Sequence, residues 1–209
     1  MSSSKLFSKE SFVTPHEVKD PLVFSVIFYV LFAFVGYAMA ETYPDQIAMY
    51  LEELGKMVSS VAELSIVGIL FFIFLNNIFV AFLASLGGIL FTLLPVVIIV
   101  ANGLVLGIVF HLVTYLESTE YFFLGILPHG IVELPAILFS TAIGIWLGGS
   151  FFRFLFFGTE TRSSLKEKAK RALGTYILII VPLLFLSALI EVFGTPLLLN
   201  HFFDINPFK

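Results

Sequence analysis

A histidine and a glutamate four residues apart, His129 and Glu133, stand inside the apolar run Leu127-Pro128-His129-Gly130-Ile131-Val132-Glu133-Leu134-Pro135-Ala136. On a helix this spacing puts both side chains on one face, one turn apart. A carboxyl group surrounded by lipid is expensive unless it finds a partner, so the pair implies one of three chemistries. It can be internal architecture, with Glu133 and a histidine hydrogen-bonded to fix helix register. It can hold a divalent metal such as zinc, with His111, His129 and Glu133 as nitrogen, nitrogen and oxygen ligands. Or it can handle protons or a substrate, because a histidine titrates near neutrality. The His-Glu-x-x-His signature of zinc proteases is absent. Further polar groups in or near apolar stretches are Glu191, Glu63, Asn102, Asn76 and Asn77. The amides are read as helix-to-helix hydrogen-bonding groups or as the lining of a path.

The elements that must carry these residues follow from composition. Of 209 residues, 59% are hydrophobic, 26 are Phe and only 12% are charged, against roughly 25% charged in a soluble domain. A water-soluble shell cannot be made from this supply, so the chain reads as an all-α, polytopic transmembrane bundle forming a single domain over residues 1–209. The alternating ten-residue segments of an outer-membrane barrel do not occur. Five spans are expected, at about 22–40, 61–83, 89–112, 127–150 and 173–193. Residues 76–88, with Asn76-Asn77 at one end and Gly87-Gly88 at the other, read either as the end of span 2 or as a broken, re-entrant helix. Ala38-Met39-Ala40 resembles a signal-peptide cleavage site, but the mixed-charge leader before it favours a retained first span. Pro95 and Pro135 are expected to start or bend helices.

Two helix starts are legible. Thr14-Pro15-His16-Glu17 has a capping Thr, a first-turn Pro and a Glu three residues on, and Ser164-x-x-Glu167 repeats the Ser/Glu spacing. Residues 45–58 form an amphipathic segment with Ile47, Leu51, Leu54 and Val58 on one stripe. Cations orient the whole. Lys5, Lys9 and Lys19 precede span 1, and Arg153, Arg162, Lys166, Lys168, Lys170 and Arg171 lie between spans 4 and 5, leaving only Lys56 and Lys209. With five spans the two large groups share a side, which predicts a cytoplasmic N-terminus and an external C-terminus in a multi-pass cell-membrane protein. The basic run is read as inner-leaflet electrostatics, worth about 1 kcal/mol per cation near anionic lipid, or as a dock for an acidic partner.

That topology puts His111, His129 with Glu133, Glu191 and Glu63 at one depth, towards the outer leaflet. Small residues predict which helices touch. Span 4 carries Ala136, Ser140, Gly144 and Gly148 at intervals of four, and span 3 carries Gly103 and Gly107 with His111 four later. Such ridges allow close backbone approach in lipid. If the two ridges face each other, His111 meets His129 and Glu133; if the span 4 ridge instead pairs two copies of the chain, the polar layer lies at a dimer seam.

These residues, in this order, resemble the stage II sporulation protein M family. The pieces that carry the resemblance are Asn76-Asn77, Gly87-Gly88, Asn102-Gly103 with Gly107, Pro128-His129-Gly130 with Glu133-Leu134-Pro135-Ala136, and Glu191-x-Phe193 with Thr195-Pro196, over roughly residues 60–196. The resemblance implies a polytopic scaffold, since the family's sporulation member holds cell-wall-degrading partners at a membrane. Together the readings favour a scaffold or assembly component of the cell envelope, with lipid and protein or a second copy as partners, no nucleic acid and no catalytic residue. The other reading is a transporter or a membrane-embedded metal-dependent enzyme. The chain has no Cys, no Ser in a Gly-x-Ser-x-Gly context and no nucleotide-binding loop, so a nucleophile-based hydrolase is disfavoured.

Overall fold

The computed structural model describes residues 11–49, 52, 53, 55, 63–89 and 93–203. Among them there is no strand. Five helices are long and apolar enough to cross a membrane. They are α1 (Lys19–Thr42), α2 (Ile66–Ser85), α3 (Leu94–Leu116), α4 (Thr119–Phe152) and α5, which runs from Arg162 to Phe203. At 1.5 Å per residue the shortest, with 20 residues, still covers about 30 Å, the thickness of the hydrocarbon layer. Their outward faces carry large apolar side chains such as Phe34, Phe71, Phe79, Ile131 and Leu197, all more than half exposed. A helix that is apolar on every side and still exposed is in contact with lipid.

Several boundaries differ from the expected ones for local reasons. The Thr14 backbone N–H and hydroxyl both donate to Glu17 Oε2, at 2.9 Å each, so the capping signal is present, but the turn it closes runs directly into α1 instead of forming a separate helix. Asn76 and Asn77 do not break α2, which continues to Ser85 and closes with a 3₁₀ turn at Gly87–Ile89; residues 76–88 are the end of span 2, not a re-entrant element. Span 3 begins at Leu94, where Pro95 occupies the first turn and its missing N–H costs nothing. Span 4 starts eight residues earlier than expected, with the Ser118 hydroxyl accepting from the Tyr121 N–H at 3.1 Å. Pro128 and Pro135 therefore both lie inside α4.

The helix after the basic loop is capped by Thr161, whose side chain accepts from the Ser164 N–H, not by Ser164. No break separates it from span 5. π-turns at Tyr176–Ile180 and Ile190–Gly194 lie just before Pro182 and Pro196. A proline ring clashes with the carbonyl four residues back, and a widened turn relieves this without ending the helix. Of the amphipathic 45–58 segment, residues 44–49 are helical with Ile47 buried; Leu51, Leu54, Lys56 and Val58 lie outside the described residues.

The chain divides into two compact units: Met1–Phe28, Ile78–Val100 and Leu134–Leu183 form one, and Tyr29–Asn77, Ala101–Glu133 and Leu184–Lys209 the other. In the first, Ala136, Ser140, Gly144 and Gly148 are all buried. A Cβ on Gly144 would strike the Ala84 carbonyl oxygen and come within 2.7 Å of Pro95 Cγ, and a Cβ on Gly88 would strike Gly144 itself. The span 4 ridge thus packs on the end of α2 and the start of α3. Buried Ser25, Ser85 and Ser140 return their hydroxyls to the carbonyls four residues back, at 2.7–2.8 Å, which satisfies them without a partner helix.

Three of the six cations between spans 4 and 5 are used inside this unit, Arg153 by donating to Ser150 Oγ at 3.1 Å. Arg171 forms a two-pronged pair with Glu17 (2.7 and 2.6 Å) and also donates to the Phe12 carbonyl. Lys168 donates to Glu160 Oε2 at 2.8 Å and to Ser150 at 3.0 Å, with its Nζ 5.3 Å from the centre of the Trp146 ring. Hydrogen bonds from Lys168 and Ser164 hold the Glu160 carboxyl below the usual carboxylate range. Arg162, Lys166 and Lys170 remain exposed. The Arg171–Glu17 pair also ties the segment before α1 to the start of α5, two segments that four intervening spans put on the same side.

Candidate functional site

The second unit contains every ionisable group expected at one depth: Glu63, His111, His129, Glu133 and Glu191. Its α1 and α3 segments lock together through glycine. A Cβ on Gly107 would strike the Ala33 carbonyl and lie 2.6 Å from the Tyr37 nitrogen; one on Gly103 would lie 2.6 Å from the Tyr29 carbonyl oxygen; and Gly36 faces Leu104 in the same way. The span 3 ridge therefore faces α1, not span 4. The alternative was legible, since α1 has its own small residues at Ala33, Gly36 and Ala40. His111, one turn beyond Gly107 on the same stripe, goes with it. Its ring meets Tyr37 edge-on at 5.1 Å, and His111 is not among the residues that gather around Glu133.

The residues that do gather come from α4 and α5. One potential ligand atom each from His129, Glu133 and Glu191 lies within 4.8 Å of the other two. Ser187 Oγ is 3.1 Å from Glu133 Oε2 and 3.3 Å from the His129 carbonyl oxygen, so its one proton serves either acceptor. Thr195 Oγ1 lies 3.5 Å from His129 Nδ1. Ser187 and Thr195 are buried, and the three ionisable residues are half-buried. The carboxyl and imidazole of the expected site are thus present, with Glu191 in the place expected for His111.

Ser187 and Thr195 were not singled out from the sequence, yet they carry a signal. With Glu191 they repeat at intervals of four, the only spacing that matches the His129/Glu133 pair on the opposing helix. The π-turn at Ile190–Gly194 shifts the phase between Ser187 and Thr195, a feature found often at functional positions. Leu70 of α2 packs against Ala188 and Val192 beside the cluster, flanked by Phe74 in edge contact with Phe185 at 5.2 Å. Asn76 and Asn77 contact each other at 3.4 Å, Asn102 is half-buried on α3, and Glu63, exposed ahead of α2, is not part of the His/Glu/Glu group. A cavity of about 450 Å³ lies between α1, α3 and the start of α4, lined by Tyr29, Ala33, Tyr37, Gly107, Phe110 and Phe122 among others. It holds no acidic or basic side chain.

Five apolar helices and a polar joint between two of them define a multi-pass helical membrane protein. The family model described as Stage II sporulation protein M (SpoIIM) matches residues 25–196, and the chain belongs to that family. The match reaches back into α1, beyond the stretch from residue 60 onward that carries the resemblance in the sequence. No curated protein and no solved structure matches the chain.

Proposed function

We propose that the protein is a membrane scaffold or assembly component of the cell envelope, and that the His129/Glu133/Glu191 cluster is the internal joint holding α4 to α5. The observation that carries this reading is where the polar groups spend their contacts. Ser187 bridges to both Glu133 and the His129 backbone, and Thr195 reaches His129, so these two hydroxyls of α5 are turned to α4. The cavity between α1, α3 and the start of α4 is apolar, which suits packing better than passage of a polar solute. Partners, whether other proteins or a second copy, are met at the aqueous ends, where Arg162, Lys166 and Lys170 present an exposed basic face.

The proposed orientation has the N-terminus and the basic segment in the cytoplasm and the C-terminus outside. The chain has no Cys, so single cysteines report their side without background. Lys166→Cys is expected to react with a membrane-impermeant maleimide only after permeabilisation, and Glu117→Cys on intact cells. The reverse pattern would invert the topology.

The scaffold role is tested by site-directed photo-crosslinking from position 166 in the native membrane. A discrete hetero- or homo-complex is expected. Because Gln retains an acceptor for Ser187, Glu133→Gln is expected to leave that complex and the folded fraction within about twofold of wild type. Loss of the complex in a folded Glu133→Gln protein, or solute flux through reconstituted wild type that this variant abolishes, would refute the scaffold.

A further inference from the structure

We propose that His129, Glu133 and Glu191 bind one divalent cation of the zinc class, which clamps α4 to α5. This rests on reading the cluster as the joint between those helices and adds a ligand to it. The donor atoms lie within 4.8 Å of one another. Tetrahedral zinc, with bonds of about 2.0–2.2 Å, needs its ligands about 3.4 Å apart. Small side-chain rotations on two packed helices close that difference.

Charge supplies a second, separate argument. Two carboxylates converge at the depth of the spans, and among the described residues neither is paired with a Lys or Arg; the ion pairs there all involve Glu17 or Glu160. Ser187 serves Glu133, whereas Glu191 accepts no hydrogen bond from a described residue. Two like charges this close in a water-poor setting require a cation or a shared proton. The imidazole selects between these and among cations. Nitrogen beside two carboxylate oxygens suits zinc and its first-row neighbours, whereas magnesium and calcium prefer oxygen alone. Thr195 sits on the Nδ1 side of the ring, which leaves Nε2 for the metal and matches the outer hydrogen bond usual for a ligating histidine.

The test uses the full chain in detergent, stripped with chelator and then dialysed against limiting zinc, with bound metal counted by mass spectrometry and cobalt(II) added in parallel for its visible absorption. Wild type and His111→Gln are expected to hold one zinc per chain. Glu191→Gln and His129→Gln are expected to bind at least tenfold more weakly and to lose the tetrahedral cobalt spectrum, with helical circular dichroism unchanged. No stoichiometric zinc in wild type, or equal binding in the folded cluster variants, overturns the proposal. If either cluster variant fails to fold, a zinc-dependent rise in the unfolding temperature of wild type and of His111→Gln supports the clamp, and its absence refutes it. Failure of this test with the crosslinked complex intact removes the metal and leaves the scaffold; loss of the complex with zinc retained does the opposite.

Discussion

Gly107→Ala is expected to destabilise the protein by about 3 kcal/mol, or to prevent recovery of folded material. The added methyl would sit on the Ala33 carbonyl and 2.6 Å from the Tyr37 nitrogen, where van der Waals contact requires about 3.5 Å. Both obstacles are backbone atoms of α1, so no side-chain rotation makes room, and the helices must separate. Separation also loosens Gly103 and Gly36, which share the seam. Overpacking of this kind costs typically 1–3 kcal/mol, and a rigid neighbour puts it at the upper end. Gly125→Ala is the control. Nothing lies within 4 Å of a Cβ at that position, so the change should fall within about 0.5 kcal/mol of wild type. Unfolding in mixed micelles with increasing dodecyl sulfate, followed by circular dichroism, measures both. Equal stability of the two variants would mean that α1 and α3 do not meet through Gly107.

Arg171→Met is expected to destabilise the unit that contains it by about 1–2 kcal/mol and to remove an acid-sensitive step from its unfolding. Arg171 is well covered and Glu17 partly so, with side-chain exposures of 17% and 32%. Hydrogen bonds to charged groups contribute about 1.5–3 kcal/mol, and the exposure of Glu17 lowers that figure. The guanidinium holds the Glu17 carboxyl at about 2, against an ordinary value of 4.5. A depressed folded-state value means that folding favours the ionised form. The stabilisation is therefore complete above about pH 4.5 and disappears as pH falls towards about 2. Wild type should lose stability across that window, and Arg171→Met should lose less. The single tryptophan, Trp146, packs near Lys168 in the same unit, so its fluorescence reports the local transition. Arg171→Lys, which keeps the charge but not the fork, should fall between the two. Parallel acid profiles for all three proteins would rule out the Glu17 linkage.

The contrast between these two variants reflects how much the chain discloses. Hydropathy is a sum over neighbours in sequence, so the five crossings were legible, as were the Thr14/Glu17 turn and the ridge at Gly103 and Gly107. The helix ends were less so. Span 4 was expected to begin near residue 127, but Ser118 had already capped α4, and a helix packed in lipid tolerates an internal proline. The continuity of α5 was not legible either, because a π-turn leaves no mark in composition.

The sequence by itself determined that this is a multi-pass helical membrane protein, that His129 and Glu133 share a face, and that Gly107 and His111 share another. Only the tertiary structure decided which helix each face meets: α1 for Gly107 and His111, α5 with Glu191 for His129 and Glu133. In water, the buried face of a helix is marked by its apolar stripe. In a bilayer, lipid tails are as apolar as leucine, so burial leaves no such mark, and partners are chosen by the fit of small surfaces and the placement of a few polar groups. Several helices here offer both, and the choice among them is made by three-dimensional packing that no linear spacing records.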